Sequence, residues 1–331
     1  MHLTSSSKHL TTSGPIENRN KHCYPKHYAI PVKSDAIYFF IEGERMSDVA
    51  PLLEAGIPRT GDYKHLLETS FFRTMETFSD AFLQKNAFLQ HYYKWVKDPL
   101  HQWSRQWEYP YVYGSVKDYA DNLPRPHPPI KVLDAGSGVT FFPYYLENNI
   151  ESLVITCCDS DGTLAHLFDR VNQPAGAGRE MKFVKADLHT LPCKNDSMDV
   201  VYCISVLEHT RSYSRILDEF RRILRPGGCL VLTFDIGLDG VSDIAPESAR
   251  VLLGEVKRRF ACVHDRMDVE AGTAGNLTSR YVIQLDSRMA PWRFPRLSLI
   301  KAAWRAKRIP TSLRKNLTVY CNTFVKPATQ V

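Results

Sequence analysis

From Ile130 onward the chain alternates short apolar runs with segments of helical pattern, and this alternation constrains the fold more than any other feature. The apolar runs are IKVLDA (130–135), SLVITCC (152–158), MKFVKAD (181–187), MDVVYCISV (198–206) and CLVLTFD (229–235). Between them the spacing predicts helices over 140–148, 161–171 and 212–224. Runs this continuous fit strands covered on both faces. Strands that alternate with helices imply a parallel sheet between two helical layers. A helix over 246–258, a strand at FACVHD (260–265) and a last strand at LTVYCNTFV (317–325) complete the pattern.

Upstream of Ile130 the texture differs. Residues 1–30 are polar and read as a disordered arm. Residues 31–125 read as a helical, aromatic-rich cap. Between Asp62 and Val96 the apolar positions Leu66, Leu67, Phe71, Phe72, Met75, Phe78 and Phe82 recur at three- and four-residue steps. The stretch WVKDPLHQWSRQWEYPYVY (95–113) follows. Then DNLPRPHPPI, with four prolines, resists helix and predicts a boundary near 122–130. The remaining residues, 126–331, form the predicted second domain, with a basic insertion at about 266–316.

Composition narrows the class. Over 331 residues, 44% hydrophobic and 24% charged content is that of a globular chain rather than a disordered or fibrous one. No apolar run reaches the roughly 18 residues that a membrane span needs. The first 23 residues lack the apolar core of a secretory signal, so a cytoplasmic location is expected. Eight cysteines without a C-x-x-C pair predict reduced, buried thiols and no zinc site. The adjacent Cys157 and Cys158 should point to opposite sides of a strand. The net charge of +6 is local. From Ser287 onward there are 10 Lys+Arg and no acidic residue, so residues 1–286 carry −4. Within PWRFPRLSLIKAAWRAKRIP, Leu297, Ile300 and Trp304 sit at helical spacing beside a stripe of Lys301, Arg305 and Arg308. The 288–315 segment therefore reads either as a packed lid helix with a solvated basic face or as a peripheral contact with an anionic membrane. No RNA- or DNA-binding module is visible, and no nucleic-acid partner is expected.

The chemistry-bearing motifs lie at strand ends. VLDAGSGVT (132–140) places Asp134 at the end of a strand and Gly136, Ser137 and Gly138 in the turn to a helix. Glycines there permit a tight turn and close ligand approach. A dinucleotide fingerprint wants a third small residue where this chain has Phe141, and Asp134 repels a pyrophosphate. The same carboxylate suits a ligand with an ammonium or sulfonium group. Asp159 ends the second strand, 25 residues after Asp134, and can accept from both hydroxyls of a ribose. Asp161 is the alternative, or a helix cap. Ala186-Asp187-Leu188 ends the third strand; Asp187 is placed to accept from an adenine amine and Leu188 to pack on the ring. Three carboxylates at successive strand ends share one rim of the sheet, where open α/β sheets bind ligands.

The order VLDAGSG, CCDSD, ADLHTLPCKNDSMDVVYCISVLEHT and LRPGG-x-L-x-L resembles the class I S-adenosylmethionine-dependent methyltransferases, most closely their type 11, small-molecule branch, over roughly 130–235. The resemblance implies a Rossmann-like seven-stranded α/β sheet, mostly parallel with an antiparallel last strand supplied by 317–325, behind an N-terminal helical extension. It implies S-adenosyl-L-methionine as cofactor. Asp134, Gly136, Ser137 and Gly138 would hold its methionine part, Asp159 with Ser160 its ribose, and Asp187 with Leu188 its adenine. Thr140 stands where the family often has a third glycine. In SVLEH (205–209), Ser205 would lie beside the sulfur that carries the methyl group, and His209 is a candidate general base or only borders the pocket. Glu208 would orient a neighbour or cap a helix, and Asp235 is a second candidate base or substrate contact. Arg225-Pro226-Gly227-Gly228 reads as a structural turn.

Substrate selection is expected from the additions to the core. Trp107, Tyr109 and Tyr111 either wall the acceptor site or simply pack the cap. The expected activity is methyl transfer to a small-molecule or glycan acceptor, with O-methylation the expected form. The alternatives are a non-catalytic S-adenosylmethionine-binding protein and an NAD-dependent oxidoreductase or epimerase; Phe141 and Asp134 oppose the latter. No metal motif is present in the sequence.

Overall fold

The computed structural model describes residues 53–93, 98–173, 181–210, 212–239, 244–270, 273–285 and 315–328. The polar arm 1–30 lies outside the described residues, as does 288–314 of the basic segment, with Leu297, Ile300 and Trp304.

Seven strands form one sheet: β1 (Ile130–Ala135), β2 (Leu153–Asp159), β3 (Lys182–Lys185), β4 (Met198–Ile204), β5 (Leu224–Gly237), β6 (Ala261–Cys262) and β7 (Leu317–Val325). Their spatial order is β3-β2-β1-β4-β5-β7-β6. The pairs among β1 to β5 are parallel, and β7 runs antiparallel between β5 and β6. The chain steps outward from β1 to β3 and then returns to the opposite side of β1 as β4. Strand order therefore reverses between β1 and β4, and the carboxyl ends of that pair open a crevice.

The continuous apolar runs are explained by two hydrophobic clusters, one on each face. Val132, Cys157, Val200, Tyr202, Val231 and Val319 belong to the first; Leu133, Cys158, Val201, Cys203, Leu232 and Tyr320 belong to the second. Neighbouring residues in a strand face opposite sides, so a strand covered on both must be apolar throughout. Cys157 and Cys158 divide between the clusters as their adjacency predicts. Helices α6 (Tyr213–Ile223) and α7 (Pro246–Lys257) cover the second face through Ile216, Phe220, Leu252 and Val256. Helices α4 (Phe142–Asn149) and α5 (Ala165–Asn172) cover the first.

The N-terminal helices α1 (Thr60–Glu68), α2 (Ser70–Lys85) and α3 (Arg105–Asp121) join that same first cluster. The periodic stretch from Asp62 is interrupted at Thr69, which is extended (ψ 150) and accepts the Phe72 N–H at 3.1 Å on its hydroxyl. This side-chain cap satisfies an otherwise orphaned donor and starts a new helix. Helix α2 buries Phe71, Phe72, Met75, Phe82 and Leu83 along one stripe. Helix α3 is different. Every residue from Gln106 to Tyr113 is buried, including Glu108. Its first half is thus enclosed on all sides, with Tyr109 stacked on Phe142 at 4.5 Å between ring centroids.

Candidate functional site

A cavity of about 260 Å³ opens at the β1/β4 reversal. On the sheet side it is lined by Asp134, the 136–140 turn, Phe142, Asp159 and Ile204-Ser205-Val206. On the cap side it is lined by Tyr93, Pro99, Gln102, Arg105 and Tyr109.

The turn after β1 is shaped by its neighbours. Gly136 and Ser137 both donate their N–H to the Cys158 carbonyl at 2.9 Å, which ties the turn to β2. Gly136 has φ +80, and a Cβ built there would lie 2.5 Å from Val206 Cγ2. Any side chain at 136 would collide with the segment after β4. Two residues on, the position is reversed: a Cβ on Gly138 would meet nothing within 4 Å. The loop is thus packed at Gly136 and open toward the cavity at Gly138.

Two carboxylates serve this cavity. Asp159 accepts the Gly138 N–H at 3.1 Å on Oδ2 and the Asp161 N–H at 3.0 Å on Oδ1. Each oxygen keeps a lone pair for a ligand hydroxyl. Asp134, 5% exposed, pairs across the sheet with Tyr202. Burial pushes its carboxyl up to about 7, and the charge of Asp159 adds to the rise while the Tyr202 hydroxyl opposes it. A cation in the cavity would reverse that shift by favouring the ionised form.

Behind the rim lies a buried polar network that joins α3 to β4 and β5. Glu108, fully buried, forms an ion pair with Arg105. It also accepts from Ser205 Oγ at 2.7 Å and from Thr233 Oγ1. Arg105 Nη1 donates to Ser205 Oγ at 2.7 Å. Ser205 adopts φ +47, a conformation that costs a non-glycine residue about 1–3 kcal/mol and persists where its surroundings fix it. Next to this network, Glu208 Oε1 accepts the Asp235 N–H at 3.1 Å, and Asp235 Oδ2 accepts from Trp103 Nε1 at 3.3 Å. Glu208 Oε2 is buried with no partner among the described residues. Burial first, and the charge of Asp235 second, drive the Glu208 carboxyl well above its ordinary range.

Of the residues singled out in the sequence, the structure gathers Asp134, Gly136, Ser137, Gly138, Asp159, Ser205 and Tyr109 around the cavity. Others lie off it. Ser160 and Asp187 are exposed, and Asp187 Oδ1 accepts from the His189 backbone and ring at 2.9 and 2.7 Å. Leu188 is buried in the second cluster. Asp161 caps the turn that follows it by accepting the Thr163 N–H at 2.9 Å. His209 is exposed and does not line the cavity. Trp107 is buried in the first cluster, and Tyr111 sits against β7, hydroxyl to hydroxyl with Thr323 at 3.2 Å. The 224–237 strand absorbs Arg225-Pro226-Gly227-Gly228, and Gly227 donates to the Lys326 carbonyl at 2.8 Å.

Sequence reasoning passed over Arg105, Gln102, Tyr93 and Val206 as lining residues. One signal was available for the first: Arg105 and Glu108 stand three apart in a stretch otherwise filled with Trp and Tyr. A charged pair in such surroundings predicts a buried ion pair.

The residues present fit S-adenosylmethionine. The space open beside Gly138 leaves room at the turn, Asp159 retains acceptor capacity, and the half-neutral Asp134 is matched to a cationic ligand.

The family described as "Methyltransferase domain" matches residues 133–232. A sterol 24-C-methyltransferase of Gibberella zeae is 27% identical over 43% of this chain and 38% of its own length. A malonyl-[acyl-carrier protein] O-methyltransferase of Laribacter hongkongensis is 28% identical over 45% of this chain and 52% of its own. The chain thus spans about half or less of the curated relatives it matches. A solved phosphoethanolamine N-methyltransferase 2 of Haemonchus contortus is 15% identical, with a TM-score of 0.41, over 69% of this chain and 58% of that one.

Proposed function

From the premise that this chain belongs to the class I S-adenosylmethionine-dependent methyltransferases, with S-adenosylmethionine as cofactor, we propose that it transfers a methyl group to the oxygen of a small-molecule acceptor. The observation that carries the reading is the cavity at the β1/β4 reversal, with Asp134 and Asp159 on one wall and Arg105 on the other. The bound cofactor supplies an electrophilic methyl on a sulfonium. What the chain must do is hold it, align the acceptor and exclude water.

Asp159 binds the ribose hydroxyls through the lone pairs its backbone bonds leave over. Asp134 stabilises the cationic end of the ligand once it ionises. Helix α3, buried from Gln106 to Tyr113, walls the cavity on the side opposite the sheet, with Tyr109 as the aromatic part. Oxygen is the accepting atom because a hydroxyl sheds a proton when it is methylated, and the carboxyl pair Glu208 and Asp235 lies next to the network behind the rim. Glu208 Oε1 accepts the Asp235 N–H, and burial together with the Asp235 charge raises the Glu208 carboxyl, so the two carboxyls act as a pair. The pair is a positioning and proton-holding unit behind Ser205. His209, exposed and off the cavity, is given no part in the step.

The test is transfer of a carbon-13 methyl group from labelled S-adenosylmethionine to a metabolite extract, read by nuclear magnetic resonance. The expected product carries a methyl signal at the shift of a methoxy carbon, absent with Asp159→Ala. A product whose methyl is bound to nitrogen or carbon would overturn the oxygen assignment. No labelled product from any extract, with no cofactor binding, would overturn the enzyme reading.

A further inference from the structure

Among the described residues, the cap contributes one cation to the cavity, Arg105, and its donors are unequally used. Every hydrogen bond that Arg105 makes among the described residues leaves from Nη1: to Ser104 Oγ at 3.4 Å, to Glu108 Oε2 and to Ser205 Oγ at 2.7 Å. Nε and Nη2 donate to none of the described residues, although the side chain is only 13% exposed and lines the cavity. A guanidinium carries five N–H donors in a rigid fork that matches a carboxylate. Leaving part of that fork without a partner among the described residues is costly for a side chain this buried unless a ligand completes it. The charge itself is secure. Burial opposes it, but Glu108, Tyr109 and Asp235 together hold the guanidinium in its charged form.

The position is fixed as firmly as the charge. Glu108 holds Nη1, and Ser205 and Thr233 hold Glu108, so Arg105 is fastened to the ends of β4 and β5 rather than to solvent. Among the described residues, the other charged side chains lining the cavity, Asp134 and Asp159, are acidic. An amino-acid-bearing cofactor presents both signs: a sulfonium and an ammonium that suit the carboxylates, and a carboxylate that they repel.

We propose that Arg105 binds the carboxylate at the amino-acid end of the cofactor, so that helix α3 of the cap is a working wall of the cofactor site. The inference rests on the methyltransferase reading and deepens it. Arg105 lies outside the 133–232 segment that matches the family, so the assignment comes from this chain's cap.

The test compares two ligands that share the adenosine and differ in the amino-acid end. S-Adenosylhomocysteine carries the carboxylate; 5′-methylthioadenosine does not. Calorimetry on the full chain with Arg105→Gln should show S-adenosylhomocysteine weakened about 10- to 100-fold, the worth of a charged hydrogen-bonded contact. Affinity for 5′-methylthioadenosine should stay within twofold. Arg105→Lys should recover part of the loss, because it keeps charge without the fork. Removing Arg105 alone strands Glu108 as a buried charge and threatens the fold. The double variant Arg105→Gln/Glu108→Gln removes both charges and keeps the cluster neutral. It should fold and should still discriminate against the carboxylate ligand. Equal loss for both ligands in the folded double variant would reduce Arg105 to a structural role and overturn the proposal. Unchanged S-adenosylhomocysteine affinity would overturn it as well. If the unaltered chain binds neither ligand, it is the methyltransferase reading that fails, and that result is distinct from both.

Discussion

The two walls of the cavity were built in different ways. The sheet wall comes from turns that follow β1, β2 and β4, and its shape is set by backbone: tight carbonyl contacts, a glycine with no room for a side chain, and a carboxylate held by two N–H groups. The cap wall comes from one buried helix, and its shape is set by side chains: an ion pair, two hydroxyls and stacked aromatic rings. The difference teaches where specificity is stored. A backbone-defined wall tolerates drift in sequence around a few fixed positions. A side-chain network fails as a unit when one member is lost.

That contrast can be broken by mutation, and the largest effect should come from the cap. Glu108→Ala removes the partner of a buried guanidinium and strands Ser205 and Thr233. It should lower unfolding free energy by about 3–5 kcal/mol, measured by denaturant titration. A loss below about 1 kcal/mol would show that the network is not held together by Glu108.

On the sheet wall, Gly136→Ala must place a methyl group at φ +80 and against Val206. A cost of about 2–4 kcal/mol is expected from strain and overpacking. The companion Gly136→Ala/Val206→Ala should recover the packing part and leave the backbone part, which separates the two terms in the same titration.

A smaller effect belongs to Asp134 and depends on pH. Its carboxyl is held near 7 in the free protein, because burial disfavours the charge. The unfolded group ionises near its ordinary range, so Asp134 destabilises the free fold increasingly as pH rises from about 4 to about 7. A cationic ligand favours the ionised form and lowers that value. Binding should therefore release a proton below pH 7, and affinity should rise up to about tenfold per pH unit toward 7 and level off above. Calorimetry in buffers of different ionisation heat counts the proton. Asp134→Asn should abolish both the release and the slope.

The smallest expected effect marks the outer limit of the cap wall. Tyr111→Phe loses only the hydroxyl contact with Thr323, away from the cavity. It should cost about 1 kcal/mol of stability by thermal or denaturant unfolding. A much larger loss would mean that the Tyr111 hydroxyl belongs to the network at Glu108.

The same contrast governs what was legible in the sequence. The sheet was readable because strands covered on both faces produce continuous apolar runs, and those at 130–135 and 317–325 reproduce β1 and β7 residue for residue. The backbone-defined wall was readable through Asp134, Gly136, Gly138 and Asp159, because turns that must approach a ligand constrain residue type. Asp187 and Leu188, expected on the same grounds, lie outside the cavity lining among the described residues. They also end a strand-like run, but β3 stops at Lys185 and the Asp187 carboxylate turns to His189. The strand at 260–265 likewise shrinks to Ala261–Cys262 at the edge of the sheet, where one partner only supports it. The cap wall was the least legible. Which of Trp107, Tyr109 and Tyr111 faces the cavity depends on how α3 is rotated against the sheet, and that is fixed by Arg105 and Glu108 reaching residues about 100 or more positions away.

The most direct test of the account is a calorimetric titration of the full chain with S-adenosylmethionine at pH 8, where Asp134 is ionised. The account predicts one site per chain, with binding abolished in a folded Asp159→Ala variant and no competing heat from NAD. Binding of NAD in the absence of any S-adenosylmethionine binding would contradict it.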